Sequence, residues 1–337
     1  MNLKVEVILG KECNLDCKYC NNKIMKVGTL SKDEDIDIYV LEFLKRVPNQ
    51  IAFYGGEPLL HWDRIVRIIE YTDCDRFKIV TNGYYLDEEK VNFLNKYNVD
   101  VVLSWDGHLS TARNYDVIKD NKSNILKIDN LMITSVITTQ NYLKSFLDEL
   151  EDVEKEYFDI HNKYFDIYAV VVNESDQFDI KDIKELFEFD LNRLNREAQY
   201  VCDHYNDKIS YKVFINTLKL LYDFETVKNV PGCLYGYNRI AIDLKGNYYA
   251  CLDLDLSYIN DKNIINTSVT DALNLINKVD KYPSRYEDMC KKCNVIDICK
   301  HGCSYLSKEQ LETTYCPPRK ALYTPIIEFL NKLEDEE

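Results

Sequence analysis

Through the first half of the chain, short runs rich in β-branched and aromatic residues alternate with amphipathic stretches. The β-rich runs are residues 3–9, 50–54, 77–81, 99–104, 131–138 and 165–172. Between them, residues 32–47, 60–71, 87–96 and 143–157 repeat apolar side chains at helical spacing. Such a βαβ alternation predicts an α/β fold built on a parallel sheet, open or curled into a partial barrel. Residues 177–229 read as charged helix, with Phe214, Leu218, Leu221 and Phe224 as one packing stripe. From Pro231 to Pro317 the periodicity weakens, as expected of a small region held by metal rather than by a large core. A last amphipathic segment, 321–333, is expected to pack back on the body.

The strand ends carry more information than the strands. GKECNLDCKYC follows the first, Gly55-Gly56-Glu57-Pro58 the second, Asn82-Gly83 the third, Trp105-Asp106-Gly107 the fourth and Thr139-Gln140-Asn141 the fifth. Polar and glycine-rich stops of this kind are ordinary βα loops, but they also mark the edge where parallel α/β folds bind ligands.

Two counts change the picture. Twelve cysteines and only ten glycines occur in 337 residues, so each glycine is expected where the backbone needs one. The start, MNLKVEVILG, lacks the basic and apolar regions of a signal peptide, and no run approaches the ~18 apolar residues of a membrane span. A cytoplasmic location is therefore expected, where thiols point to metal or redox chemistry rather than to disulfides. A net charge of −15, from 42 basic and 57 acidic residues, argues against nucleic acid as a partner.

The cysteines fall into spaced groups. Cys13, Cys17 and Cys20 form C-x3-C-x2-C. Three thiolates on one loop can hold three irons of a cubane [4Fe–4S] cluster and leave the fourth open; a zinc site would want a fourth ligand, and no histidine is near. Cys233, Cys251, Cys290, Cys293, Cys299, Cys303 and Cys316 form C-x12-G-x4-C, a gap, C-x2-C-x5-C-x3-C, a gap and C, with Gly246 as the internal glycine.

The first group, placed after strand one and with an aromatic Tyr19 before its last cysteine, resembles the signature loop of the radical SAM superfamily. Gly55-Gly56-Glu57 resembles that family's GGE stop, and Thr81-Asn82-Gly83 and Ser104-Trp105-Asp106-Gly107 resemble stops of the branch containing anaerobic sulfatase-maturing enzymes. The second group resembles the SPASM extension. What the resemblance implies is a partial (β/α)6 barrel at 1–176, a helical bridge at 177–229, a SPASM domain at 230–317 and a C-terminal helix at 318–337. S-adenosylmethionine (SAM) would meet Tyr19, Gly55, Gly56, Glu57, Asn82, Ser104 and Asp106. Arg113, beside His108 just past the fourth strand, is a candidate for substrate or the SAM carboxylate.

The resemblance also implies three iron–sulfur clusters. Cys13, Cys17 and Cys20 would hold the SAM-cleaving one; Cys233, Cys251 and Cys303 the nearer auxiliary; Cys290, Cys293, Cys299 and Cys316 the distal one. The nearer cluster is one thiolate short, which leaves an open iron, a substrate thiol, Glu225 or Cys202 to complete it. Cys202 and Cys74 otherwise read as buried thiols, and His301, between Cys299 and Cys303, as a group tuning a cluster.

The implied activity is oxidation of a peptide or protein side chain, foremost crosslinking in a ribosomally synthesised peptide. Formylglycine formation, dehydrogenation of a small-molecule alcohol and non-catalytic electron transfer are the alternatives. Leu252 stands where sulfatase-maturing relatives carry an aspartate, which leaves Asp253 as the candidate base. Expected partners are the peptide, a flavodoxin- or ferredoxin-type electron donor and a separate leader-binding protein, because Cys13 follows the first strand almost at once.

Overall fold

The computed structural model describes residues 3–20, 34–172 apart from 109, 184–225 apart from 187, 235, 237–252, 258–278, 289–299 apart from 291, and 306–336. Cys233, Cys303, Asp253 and His301 lie outside the described residues, as do parts of the expected bridge at 177–229.

Six parallel strands, β1 (Lys4–Ile8), β2 (Gln50–Tyr54), β3 (Arg76–Thr81), β4 (Asp100–Ser104), β5 (Leu131–Ile137) and β6 (Asp166–Val171), lie side by side in chain order. The helices α1 (Ile38–Arg46), α2 (Trp62–Tyr71), α3 (Glu88–Lys96), α4 (Val117–Ile125) and α5 (Leu143–His161) follow strands 1 to 5 in turn. The expected α/β class and its parallel sheet are what the molecule has. The α1 helix starts later than its periodicity suggested because the Asp37 side chain accepts a hydrogen bond from the Tyr39 N–H, a cap that sets the first turn. The α4 helix escaped the sequence reading: its core contribution is only Val117, Ile118 and Ile125, and Asn121 breaks its geometry at φ −139°.

Alternation along the strands divides the sheet into two faces. Phe77, Ile79, Leu131, Ile133, Ile167 and Ala169 are buried in the main core, while Arg76, Lys78, Val80, Met132, Thr134, Asp166 and Tyr168 occupy the intervening positions and are not buried. The register aligns the second set, with Lys4 opposite Gln50, Gln50 opposite Arg76, Lys78 opposite Asp100, and Met132 opposite Asp166. One face of the sheet is therefore dry, and the other lines a polar lumen.

The second half departs from a region held by metal alone. β7 (Arg239–Asp243) pairs in parallel with the free edge of β1, and β8 (Asn247–Tyr249) and β9 (Tyr258–Asn263) continue antiparallel, giving one nine-stranded sheet in the order β6-β5-β4-β3-β2-β1-β7-β8-β9. Ile240, Ala241, Ile242, Tyr248 and Tyr249 are buried in the same core as β1. Burial of apolar side chains thus holds this segment whether or not metal is bound. Helices α6 (Leu191–Asp203), α7 (Ile209–Glu225), α8 (Val269–Lys278) and α9 (Cys316–Glu336) complete the molecule, with α9 packed along α6. Phe214 and Leu218 of α7 are buried, as their stripe predicted.

Candidate active site

The loop after β1 is seated on the turn after β2 by close backbone approach. The Gly56 N–H donates to the Gly10 carbonyl at 3.0 Å, and the Glu57 N–H to the Glu12 carbonyl at 2.8 Å. A Cβ on Gly55, whose φ is +143°, would lie 2.4 Å from the Gly10 oxygen; one on Gly56 would lie 2.2 Å from the Glu12 oxygen. Only glycine permits this stacking. Gly10, which the sequence reading did not single out, is the other half of the contact. The scarcity of glycine was the signal that could have found it.

Glu57 is 1% exposed. Its carboxylate accepts from the Leu59 N–H at 3.0 Å, the Thr81 hydroxyl at 2.6 Å and the Asn82 N–H at 2.8 Å, tying the end of β2 to the end of β3. Burial pushes its pKa up and these donors oppose the shift. Asn82 in turn donates to the Asn14 side-chain oxygen at 3.0 Å and lies 3.9 Å from the Cys13 sulfur. The Asn14 side-chain nitrogen is buried without a partner among the described residues.

On the other flank, the buried Asp106 and Arg113 form a triad with the partly exposed Tyr19. The Tyr19 hydroxyl donates to Asp106, the Arg113 Nε donates to the same carboxylate at 3.1 Å, and an Arg113 terminal N–H reaches the Tyr19 oxygen at 2.9 Å. The second Asp106 oxygen accepts the Val136 N–H at 3.0 Å. Burial is the largest influence on the Arg113 pKa and would lower it; Asp106, Tyr19 and Cys17 together outweigh it, so the guanidinium stays charged. The Arg113 stretch also holds the cysteine loop directly, since the Ala112 carbonyl accepts the Lys18 N–H at 2.8 Å and the Arg113 carbonyl lies 3.7 Å from the Cys17 sulfur.

His108, expected near the cavity, is part of a second brace: its Nδ1 lies 2.6 Å from Asp116, which also accepts the Trp105 indole N–H at 2.9 Å, and Glu149 accepts the His108 N–H at 2.6 Å. Asp116 and Glu149 had no motif to mark them. Ser104, at the end of β4, occupies a lumen position opposite Thr134.

Cys13, Cys17 and Cys20 thus stand at the C-terminal edge of the sheet, with Cys13 exposed, Cys17 buried and Cys20 between. Burial pushes the Cys17 thiol up to about 11, Arg113 opposing and Cys20 adding to the shift; burial also raises Cys13. Among the described residues no three His, Cys, Asp or Glu side chains are grouped to hold a single metal ion. A cubane makes a different demand, with each thiolate bonded to its own iron, and a loop presenting three thiols fits it.

Cys290, Cys293, Cys299 and Cys316 line one cavity beneath Arg319 and Leu311. Burial, with Cys316 and Cys293 adding and Arg319 opposing, pushes the Cys299 thiol up to about 11. Arg319 donates to the Tyr315 carbonyl at 3.0 Å and the Val171 carbonyl at 2.8 Å, joining this cavity to the end of β6. Cys251 is buried in the turn after β8. Cys202 is 1% exposed in the core, its thiol 3.8 Å from the Pro325 carbonyl of α9, and Cys74 contacts the Pro48 and Arg76 carbonyls at the opposite end of the strands. Both have the surroundings of packed thiols.

Residues 7–105, the stretch from β1 through the cysteine loop to the end of β4, match the Radical SAM superfamily. Among curated proteins the chain is similar to the radical SAM cyclopropyl synthase TigE of Paramaledivibacter caminithermalis, 29% identical over 183 residues that cover 45% of this chain and 39% of that protein. It is also similar to the GTP 3',8-cyclase of Synechocystis sp., 27% identical over 65% of this chain and 60% of that one. The chain therefore spans less than two thirds of either relative. Among solved structures, anSMEcpe with bound AdoMet superposes with a TM-score of 0.64 at 18% identity, covering 99% of this chain and 100% of that one. Streptococcus suis SuiB bound to its precursor peptide SuiA gives 0.57 at 18% identity, covering 89% and 71%. These likenesses establish the shared fold. Among the described residues no helix is long and apolar enough to cross a membrane.

Proposed function

We propose that this protein is a radical SAM enzyme that oxidatively modifies a peptide or protein side chain, most specifically by crosslinking within a ribosomally synthesised peptide. The observation that carries this reading is the seating of a three-thiol loop on the Gly55-Gly56 turn beside an open polar lumen. Together with SAM, a cluster with one open iron would supply radical chemistry able to remove hydrogen from unactivated carbon.

In this reading Cys13, Cys17 and Cys20 hold the cluster. The buried Asp106 and Arg113 fix Tyr19, and through it the loop, so that Tyr19 offers its ring to the adenine. Glu57 acts as a positioning residue, its carboxylate already engaged by Leu59, Thr81 and Asn82. Asn82, Ser104 and the Gly55-Gly56 backbone border the space for the methionine and ribose parts. Cys290, Cys293, Cys299 and Cys316 would hold a distal auxiliary cluster; Cys251 with Cys233 and Cys303 would serve the nearer one. These would carry away the second electron of the oxidation, while a base accepts the substrate proton.

A peptide substrate is supported by the fold shared with SuiB, a structure solved with a precursor peptide. The test is anaerobic reconstitution with iron and sulfide, then dithionite and SAM. Release of 5′-deoxyadenosine is expected, lost at least a hundredfold in Cys13→Ala, Cys17→Ala and Cys20→Ala. Its absence from the wild-type chain would overturn the reading. A peptide co-expressed as substrate should lose two hydrogens in mass spectrometry.

A further inference from the structure

At the N-terminal end of the strands, opposite the cysteine loop, the polar face lines a cavity of about 460 Å³ bordered among others by Lys4, Glu6, Arg76, Lys78, Asp100 and Arg239. All six stand on the polar face of the sheet, by the registers Lys4 opposite Arg239 and Gln50, Gln50 opposite Arg76, Ala52 opposite Glu6 and Lys78, and Lys78 opposite Asp100. A chain carrying fifteen excess negative charges thus gathers four cations on one wall of its barrel.

Two of the four are spoken for. Arg76 pairs with Asp100 at 3.0 Å, and Arg239 lies 3.4 Å from Glu6. Glu6 also accepts the Tyr235 hydroxyl. What remains is a surplus of donors: the Lys4 and Lys78 ammonium groups make no hydrogen bond or salt bridge among the described residues, and the Arg239 Nε is buried with no acceptor. Ala52, between Glu6 and Lys78 in the register, leaves the space into which a ligand oxygen would fit. Asp129, Lys163 and Asp166 line the same cavity.

Partly burying ammonium groups that form no direct ion pair is costly. Burial, with Arg239 adding, depresses the pKa of both lysines although Glu6, and for Lys78 also Asp100, opposes the shift, and an anion with two oxygens would relieve that cost. Arg239 provides the planar donor such a group prefers, and the lysines provide point charges.

We propose that the floor of the lumen is a carboxylate-recognising subsite, formed by Lys4, Lys78 and Arg239, that anchors an acidic group of the substrate at the end of the strands opposite the cysteine loop. This rests on the reading of the lumen as the substrate chamber. Its test is made apart from that reading, by direct binding to the full chain without SAM or reductant. Two acidic probes separate the sources of the carboxylate: glutarate for a small-molecule acid, and N-acetyl-Gly-Glu-Gly-amide for a peptide side chain, each paired with its neutral amide.

Calorimetric titration is expected to show at least one acid bound tenfold or more tightly than its amide, with affinity falling as salt rises. Glutarate alone would assign the site to a small acid, and the peptide to a peptide substrate. Lys78→Met should abolish the preference without unfolding the chain, because it removes an unpaired charge. Lys163→Met, across the cavity, should retain the preference. Equal binding of acid and amide, binding of neither, or a preference unchanged in Lys78→Met would overturn the proposal. Loss of 5′-deoxyadenosine release would leave this result standing, so the two failures are distinguishable.

Discussion

Buried ionisable side chains here fall into two kinds. Glu57 and Asp106 are each satisfied by three or more donors and hold neighbouring strand ends together. Glu154 on α5 is different: it is fully buried, one oxygen has no partner among the described residues, and the other accepts the Phe165 N–H at a long 3.4 Å. Burial, with Asp166 and Glu151 adding, pushes its pKa up to about 9. The folded chain therefore keeps a proton that the unfolded chain releases near the ordinary carboxylate range. Between about pH 5 and pH 9 the folded state binds more protons, and stability falls as pH rises through that window. Urea midpoints measured at pH 6 and pH 8 should differ for the wild type, and the difference should shrink in Glu154→Gln, which is expected to be the more stable protein at pH 8.

Among elements, the decisive contact is between two strand-end turns. The Cys13 to Cys20 loop has no hydrophobic core of its own beyond Cys17 and the packing of Tyr19 on Ala112 and Leu186. It is held by backbone stacking on Gly55 and Gly56 and by the Asp106–Arg113 brace. Gly56→Ala would drive a methyl group into the Glu12 and Lys11 carbonyl oxygens, at 2.2 and 2.3 Å. Those are backbone atoms, so the loop itself must shift. Reconstituted Gly56→Ala should lose about one cluster's worth of iron, roughly four atoms per chain, with its far-ultraviolet circular dichroism unchanged. Full iron content in this variant would show that the loop does not depend on the turn. The GGE motif was legible in sequence, but its partner Gly10 was not, because a close approach between two turns leaves no local signature.

At the scale of the whole molecule, the sheet does not stop with the six parallel strands. β7 covers the β1 edge that would otherwise be open, and an open edge is a liability for a parallel sheet. Removing iron should therefore leave this half largely intact. Hydrogen exchange of the metal-free chain is expected to show Ile240 to Ile242 protected as strongly as Val5 to Val7, with protection lost at 292–299, where the short helix Ile296–Cys299 has no buried residue and borders the thiol-lined cavity. Equal loss in both segments would mean that metal holds the entire second half.

Periodicity alone determined the six barrel strands and four of the five helices that follow them, because each buries one face on a single core and the 2- and 3.6-residue repeats record that burial directly. Cysteine spacing marked Cys13, Cys17 and Cys20 as one group, since the residues of one loop lie close in sequence. Only the tertiary structure decided that residues 239–249 join the barrel sheet, that Glu57 and Asp106 are engaged by the protein, and that Lys4, Lys78 and Arg239 meet at the lumen floor. Those relations bring together residues up to 235 positions apart. They depend on strand order and register, which no local repeat encodes.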